Sequence, residues 1–225
     1  MKIKVIGIGG IGTCLLPVLI RFLNFNVSDA FVLLIDGDWF EDKNRERQMF
    51  DCLGNKAEVT AERLQGQNPR VDLEAWAEYV TDNNVVELIH EGDMVLLCVD
   101  NHATRKLVSD HCEELNDVTL ISGGNELTDG SVHVYVRKGG KDVTLPLAND
   151  FHPEIQYPED HNPAEAGCDE QTESEPQLLL TNNLVAAMML SSFYTVLQDK
   201  LAYDMVYCDL LSGNCRTVCR TAAMC

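Results

Sequence analysis

Basic residues are scarce in this chain. Its 225 residues include 17 lysines and arginines against 36 aspartates and glutamates, which gives a formal net charge of −19 at pH 7. A surface with this excess of negative charge repels nucleic acid and anionic membranes unless a local basic patch intervenes. We therefore expect neither nucleic acid nor a membrane among the partners of the chain.

A secretory leader and a long apolar run are also missing. The first apolar strand begins almost at Met1, so we expect no signal peptide. The longest apolar run, residues 184–197, is short for a bilayer span and is interrupted by serines. Nine scattered cysteines, an odd number, indicate reduced thiols rather than a disulfide framework. These absences predict a cytoplasmic protein.

The most informative stretch is the glycine-rich turn after the first apolar strand. Gly7, Gly9 and Gly12 follow the pattern Gly-x-Gly-x-x-Gly between that strand and an apolar helix. Glycine lets the backbone turn tightly and approach a phosphate, and a helix N-terminus favours the negative charge. The next apolar strand ends at Asp36, where an acidic residue typically accepts a hydrogen bond from a ribose hydroxyl. The pattern predicts a nucleotide-binding βαβ unit.

Strands and helices alternate over the first half of the chain, which is typical of a doubly wound sheet. Antiparallel strands, a long loop and an apolar helix follow. The expected fold class is α/β, with a Rossmann-like, mostly parallel sheet that antiparallel strands extend, in a single domain over residues 1–225. Strands are expected at residues 3–8, 31–35, 71–80, 94–99, 118–121, 131–136, 141–145, 203–211 and 215–220, and helices at residues 14–23, 57–65, 82–90, 103–115 and 178–197.

Residues 147–176 have no hydrophobic periodicity. They contain four prolines, many carboxylates and no lysine or arginine, which indicates a long acidic loop. A loop of this length inside a compact domain is usually functional or disordered. Residues 177–225 then form an apolar helix, expected in the core or at a subunit interface, and a terminal hairpin.

Three residues go beyond what a generic dinucleotide site needs. Arg47 offers a rigid fork of donors that suits phosphate oxygens. Lys56, at the start of a helix, has an ammonium group that can reach a phosphate. Asp100 follows a continuous apolar strand, at the edge where open α/β sheets bind ligands, and its carboxylate can hold Mg²⁺ beside phosphate oxygens. Each residue alone has a plainer explanation, but their joint order favours a triphosphate with magnesium.

These motifs resemble those of the ThiF, MoeB and ubiquitin-activating enzyme superfamily. The matching segments cover about the first half of the chain, in order and at family-like spacing. The resemblance implies adenylation: the C-terminal glycine carboxylate of a ubiquitin-like or sulfur-carrier protein attacks the α-phosphate of Mg·ATP, and pyrophosphate leaves. The segments are residues 7–12, 35–38, 44–48, 54–57, 68–69 and 93–101, together with Arg105.

The resemblance also implies roles for individual residues. Asp36 would bind the ribose, and Asp100 would be the catalytic aspartate and the magnesium ligand. Asn44, Arg47 and Lys56 would form a phosphate clamp. The implied nucleotide site comprises Gly7, Gly9, Gly10, Gly12, Asp36, Asp38, Asn44, Arg47, Gln48, Lys56, Asp100 and Asn101.

In this family, a crossover loop that covers the tail of the partner protein stands where residues 147–176 lie. Its acidic character would suit a basic partner surface. The resemblance implies that Cys168 in this loop accepts the activated acyl group as a thioester or takes part in sulfur transfer, although neighbouring carboxylates disfavour its thiolate. A loop thiol without a role is the alternative. A downstream conjugating protein would be a further partner.

The chain departs from the family pattern in two respects. It contains no Cys-x-x-Cys motif, so we predict no zinc site. Only Met1 and Lys2 precede the first strand, where homodimeric members have an arginine that reaches the partner subunit's site. Either another basic residue such as Arg45 substitutes for it, or catalysis is slower, or another chain supplies the charge. The apolar helix and the missing N-terminal extension favour a homodimer.

Several functions are compatible with this pattern. The leading hypothesis is activation of a ubiquitin-like or sulfur-carrier protein. Adenylation of a small-molecule or peptide carboxylate, or of a tRNA base, is an alternative, although the net charge argues against tRNA. A catalytically silent nucleotide-binding scaffold is another. An NAD-dependent oxidoreductase would explain the glycine turn but would leave Arg47, Lys56 and Asp100 without a role.

Overall fold

A nine-stranded mixed sheet forms the centre of the computed structural model, which describes residues 1–165 and 177–219. The strands are β1 (Lys2–Ile6), β2 (Ala30–Ile35), β3 (Trp39–Phe40), β4 (Gly54–Asn55), β5 (Val71–Trp76), β6 (Met94–Leu97), β7 (Val118–Asn125), β8 (Asp129–Lys138), β9 (Lys141–Asp142), β10 (Met205–Asp209) and β11 (Asn214–Val218). The helices are α1 (Gly10–Asn26), α2 (Lys56–Gln67), α3 (Val85–Leu88), α4 (His102–Glu114), α5 (Pro153–Gln156) and α6 (Leu179–Leu197), with a 3₁₀ turn at Asp42–Asn44.

Five neighbouring strands, in the order β5-β2-β1-β6-β7, are parallel. Strands β8, β10 and β11 extend this sheet in antiparallel fashion, and β9 pairs with β8. The predicted fold class is therefore confirmed. Ile6 of β1 lies opposite both Ile35 of β2 and Leu97 of β6, so the carboxyl ends of these three strands are level. The residues that follow them meet at one edge of the sheet.

Helices cover both faces of the sheet. The apolar side chains of α1, α2 and α6 pack with one face of the strands, and those of α3, α4 and α5 pack with the other. Burial on both faces explains why β1 and β6 are continuous apolar runs rather than alternating ones. The core on the first face includes Leu15 and Leu19 of α1 and Met189 and Phe193 of α6.

Helix α6 packs against α1 and the strands β7 and β8. Its length and composition alone would suffice to cross a membrane, but 44% of its most apolar 18-residue stretch is buried within the protein. Helices at the core of soluble proteins pass the same test. The side chains of Val185, Met189 and Phe193 are almost fully buried in the core, so α6 has the packing of a core helix.

Some predicted elements differ in extent. The strand expected at 71–80 ends at Trp76, where its partner strand also ends, since Trp76 lies opposite Ile35. The helix expected at 82–90 is the single turn Val85–Leu88. In the predicted loop 147–176, residues Pro153–Gln156 form a short helix. The rest of that loop from residue 166, including Cys168, lies outside the described residues.

Candidate nucleotide-binding site

The glycine turn is closely packed against the rest of the protein. Gly7 has a φ of +88°, and a Cβ there would lie 2.9 Å from the carbonyl carbon of Cys98 at the end of β6. A Cβ at Gly12 would lie 2.3 Å from the carbonyl oxygen of Gly7. At Gly9, by contrast, a Cβ would meet only Nε2 of Gln48, at an ordinary contact distance of 3.9 Å. The backbone around Gly9 is therefore the most open part of the turn.

Asp36, at the end of β2, holds the glycine turn in place. Its Oδ2 accepts a hydrogen bond from the backbone N–H of Ile8 at 2.5 Å, and its Oδ1 accepts one from the N–H of Asp38 at 2.8 Å. Burial raises the pKa of this carboxyl, and the nearby charge of Lys56 opposes that effect. Asp36 thus organises the turn itself. Its contact with a ribose stays a prediction.

Lys56 is the first residue of α2 and has an almost fully buried side chain. Its ammonium nitrogen lies 2.5 Å from Oδ2 of Asp38. Asn55 caps this helix, because its Oδ1 accepts hydrogen bonds from the N–H groups of Ala57 and Glu58. The Nδ2 of Asn55 donates to the carbonyl oxygens of Asp36 and Asp38. The start of α2 is thereby tied to the end of β2.

Tyr79 is a half-buried residue at the same edge of the sheet. Its ring packs against Gly37, where a Cβ would lie 2.7 Å from the ring. Burial, together with the charges of Asp38, Asp36 and Asp100, raises the pKa of its hydroxyl to about 12. The phenol therefore stays protonated and lies among three carboxylates that come from the ends of β2 and β6.

The predicted phosphate clamp lies on an irregular segment, residues 41–50. Asn44 is buried, and its Oδ1 accepts a hydrogen bond from the N–H of Glu41. Gln48 is also buried, beside Gly9, and its Oε1 has no hydrogen-bond partner among the described residues. Arg47 is half-buried, and its carbonyl oxygen accepts a hydrogen bond from Asn182 of α6. The segment thus lies between the glycine turn and α6.

Asp100 is exposed, just beyond β6. Asn101, which the resemblance assigned to the nucleotide, caps α4 by accepting a hydrogen bond from the N–H of Thr104. The buried guanidinium of Arg105 donates to the carbonyl oxygens of Val99 at 2.6 Å and Gly123 at 2.9 Å. Because Val99 immediately precedes Asp100, Arg105 fixes the backbone that presents the Asp100 carboxylate.

The N-terminus of α4 binds a carboxylate from the predicted crossover loop. Oδ2 of Asp160 accepts a hydrogen bond from the N–H of His102 at 2.6 Å, and Oδ1 accepts one from the N–H of Ala103 at 2.8 Å. Two residues on, Nδ2 of Asn162 donates to the carbonyl oxygen of Val80 at 2.8 Å. These contacts attach the loop to the same edge of the sheet as Asp100.

Thiols near the glycine turn are unreactive. Burial raises the pKa of Cys14 to about 11 and that of Cys98 to about 12, so neither is a thiolate near neutral pH. No group of three or more His, Cys, Asp or Glu side chains is arranged to hold a metal ion within residues 1–165 and 177–219. Asp100 as a Mg²⁺ ligand stays a prediction, and Mg²⁺ usually takes only one or two carboxylates beside phosphate oxygens.

Sequence reasoning missed three residues of this region: Tyr79, Asp160 and Asn182. Tyr79 was included in the strand predicted at 71–80, whereas in the structure it follows β5 by three residues. Asp160 is one of many carboxylates in its loop. Asn182 had the clearest signal, because Asn182 and Asn183 interrupt an otherwise apolar helix.

A comparison with family models identifies the chain. The model described as the ThiF family matches residues 1–224. The chain belongs to the ThiF family. The resemblance inferred from the motifs is thus confirmed, and it extends over the second half of the chain as well.

Several relatives of this ThiF-family chain have names that describe adenylyltransferases. It is 29% identical over 161 residues to an adenylyltransferase and sulfurtransferase UBA4 of Lodderomyces elongisporus, covering 70% of this chain and 33% of that protein. It is 33% identical over 138 residues to a sulfur carrier protein adenylyltransferase of Thermus thermophilus, covering 60% and 49%. The chain spans about a third to a half of the length of such relatives.

The fold is also similar to that of a solved structure. The whole chain superposes on E. coli MccB with ATP, with a TM-score of 0.72 over 66% of the MccB chain. The sequences are 18% identical, so this likeness supports the fold alone.

Proposed function

We propose that this ThiF-family chain uses Mg·ATP to adenylate the C-terminal glycine of a ubiquitin-like or sulfur-carrier protein. The names of its relatives support the adenylyltransferase class. The observation that carries the proposal is the buried ammonium of Lys56, which lies at the same sheet edge as the glycine turn. NAD has no terminal phosphate for this cation to bind, whereas ATP has one.

The residues of this edge fit a nucleoside triphosphate. The open backbone at Gly9 and the N-terminus of α1 would face the phosphates, and the Nε2 of buried Gln48, which lies on the Gly9 side, would offer them a donor. Arg47 and Lys56 would hold phosphate oxygens, Asp36 the ribose, and Asp100 the magnesium ion. When bound, ATP supplies an α-phosphate with pyrophosphate as leaving group, which makes a carboxylate reactive.

The contribution of the protein in this proposal is to position and neutralise charge. Lys56 and Arg47 would stabilise the negative charge that grows on the leaving pyrophosphate. Arg105 would hold Asp100 in position through its hydrogen bond to the carbonyl oxygen of Val99. The segment anchored by Asp160 and Asn162 would lie over the tail of the partner protein. A loop held by these anchors would fix the position of the tail. Its terminal carboxylate would then lie close to the α-phosphate that it attacks.

A second step, transfer of the acyl group to Cys168, is part of the proposal. The thiolate sulfur would attack the carbonyl carbon of the acyl-adenylate, forming a thioester and releasing AMP. Cys14, Cys98 and Cys112 are buried with raised pKa values, so they are poor candidates for this role. A Cys168→Ser variant should make the same adenylate but no thiol-labile conjugate on denaturing gels.

We also propose a homodimer in the cytoplasm. Val18 and Phe25 are exposed on α1, and Leu180 and Tyr194 are exposed on α6, which packs against it. A second copy of the chain would cover these apolar side chains. Light scattering should give twice the mass of one chain. The Phe25→Glu variant should give a lower mass, closer to that of a single chain. A single-chain mass at all micromolar concentrations would reject the dimer.

Thermal unfolding with Mg·ATP, ADP and NAD tests the nucleotide assignment. ATP at a hundredfold excess over its Kd should stabilise the protein by about 2.7 kcal/mol. This increase in thermal stability should require Mg²⁺, should not occur with NAD and should be lost in the Arg47→Ala variant. Stabilisation by NAD alone would overturn the proposal.

Pyrophosphate exchange separates an enzyme from a scaffold. With a sulfur-carrier protein that ends in Gly-Gly, the chain should exchange labelled pyrophosphate into ATP, and Asp100→Asn should not. The same carrier without its last glycine is the control. ATP binding with no exchange for any carrier of this class would favour the nucleotide-binding scaffold instead.

A further inference from the structure

Asn182 is a polar residue in the first turn of the apolar helix α6. Its side chain is completely buried. A Cβ at Gly10, the first residue of α1, would lie 2.2 Å from Nδ2 of Asn182. The same Nδ2 donates a hydrogen bond to the carbonyl oxygen of Arg47 at 3.1 Å. The amide group of Asn182 therefore contacts both the start of α1 and the segment that includes Arg47.

The segment around Arg47 depends on such contacts for its position. It is irregular, and its local bonds, such as that from the Arg47 N–H to the Asn44 carbonyl oxygen, lie within the segment itself. The Met49 N–H donates to Oγ1 of Thr13 in α1 at 3.2 Å. Asn182 and Thr13 thus attach the segment at two points on either side of Gln48. Together they tie it to α1 and α6, beside the glycine turn.

A purely structural role would be served better by an apolar side chain. Oδ1 of Asn182 is buried and has no hydrogen-bond partner within the described part of the chain. A buried polar atom without a partner destabilises the folded state, whereas leucine has the same number of side-chain heavy atoms and no polar group. Compared with leucine, the amide therefore adds one unpaired buried oxygen and one hydrogen bond, the bond to the carbonyl oxygen of Arg47.

We propose that Asn182 is a positioning residue for nucleotide binding. It fixes the backbone of Arg47 relative to Gly10, so that the guanidinium is held over the terminal phosphates. This inference rests on the proposed function, because it assumes that Arg47 binds phosphate. It assigns to α6, which follows the crossover loop directly, a part in setting ATP affinity.

The test compares Asn182→Leu with Thr181→Val. Thr181 is the preceding residue, is equally buried, and its hydroxyl donates to the carbonyl oxygen of Leu127 at 2.7 Å, so it controls for loss of a buried hydrogen bond in the same helix. Calorimetry would measure the Kd of Mg·ATP and of AMP. Asn182→Leu should weaken ATP binding about tenfold and leave AMP binding within about twofold. Thr181→Val should change neither.

A double variant shows whether Asn182 acts through Arg47. If it does, Asn182→Leu combined with Arg47→Ala should bind ATP no more weakly than Arg47→Ala alone. Additive losses, or an unchanged Kd in Asn182→Leu, would overturn the proposal. Asn182→Ala provides a second variant should leucine prevent folding.

Hydrogen exchange separates this inference from the proposed function. Without any nucleotide, Asn182→Leu should speed amide exchange over residues 44–49, and Thr181→Val should not. Unchanged exchange would overturn the positioning role. Absence of ATP binding in the wild-type protein, with faster exchange in Asn182→Leu, would instead reject the nucleotide assignment.

Discussion

The ammonium nitrogen of Lys56 lies 2.5 Å from Oδ2 of Asp38, and the two side chains differ sharply in exposure. Lys56 is 7% exposed, whereas Asp38 is 51% exposed. The cation is held at the base of the site, and its partner carboxylate faces solvent. A phosphate group can therefore approach the ion pair from the Asp38 side and compete for the lysine.

Replacing Lys56 by methionine should selectively weaken binding of the triphosphate. Hydrogen bonds to charged groups contribute about 1.5–3 kcal/mol, so the Kd of Mg·ATP should rise about tenfold to a hundredfold. The Kd of AMP should change little. Calorimetry measures both. Lys106→Met, which removes an exposed lysine paired with Asp110, is the control and should leave both constants unchanged. Equal losses for ATP and AMP would contradict a role at the terminal phosphates.

Asp36 should titrate above the ordinary aspartate pKa of 3.8, because burial raises its pKa. Above pH 3.8 the folded protein then keeps a proton that the unfolded chain has released. This contribution to stability is fully present at low pH and is lost as the pH rises through the folded-state pKa. Carbon-13 NMR of the side-chain carboxyl measures that value. Lys56→Met should raise it further, since the lysine charge lowers it. A value at or below 3.8 would contradict the structure.

Arg105→Leu should destabilise the fold, because it removes the guanidinium that donates to the partly buried carbonyl oxygen of Val99 and the buried one of Gly123. Each unsatisfied group costs about 1–3 kcal/mol, so we expect a loss of about 3 kcal/mol in the free energy of unfolding in urea. Arg21→Leu, an exposed arginine on α1, should stay within about 0.5 kcal/mol of wild type. A comparable loss of unfolding free energy in both variants would show that the hydrogen bonds of Arg105 contribute no more to stability than an exposed arginine does.

Asp160→Ala should release the described part of the crossover loop. The change removes both acceptors for the His102 and Ala103 N–H groups, a loss of about 1 kcal/mol by analogy with helix caps. Hydrogen exchange over residues 157–165 should become faster while the central strands keep their protection. Glu159→Ala, next to it and exposed, should have no such effect. Equal exchange in the two variants would mean that Asp160 does not anchor the loop.

The sequence predicted the sheet and its ligand-binding edge well, because both follow from local patterns. A strand, a glycine turn and a helix are contiguous, and Asp36 and Asp100 directly follow apolar strands. The strand predicted to reach Val80 was wrong in extent, since strand length is set by the partner strand, which ends at Ile35. Alternation along one strand contains no information about where its neighbour stops.

Contacts between distant residues could not be predicted in this way. Asn182 lies 135 residues from Arg47 in the chain, and Asp160 lies 58 residues from His102. Only the packing of α6 on α1, and of the loop on α4, brings them together. The pKa of Asp36 was equally hidden, because the burial that raises it comes from the whole fold.

The close packing of Gly7, Gly10 and Gly12 separates the glycine motif from catalysis. A methyl group at any of the three would collide with protein atoms, namely the end of β6, Asn182 or the Gly7 carbonyl oxygen. Selection for folding alone would therefore preserve these glycines, even in a descendant that had lost every catalytic residue. The presence of the glycine motif therefore indicates that the fold is retained and does not by itself indicate activity. Evidence for continuing activity has to come from positions such as Gly9, where a methyl group would meet only Nε2 of Gln48 at an ordinary 3.9 Å.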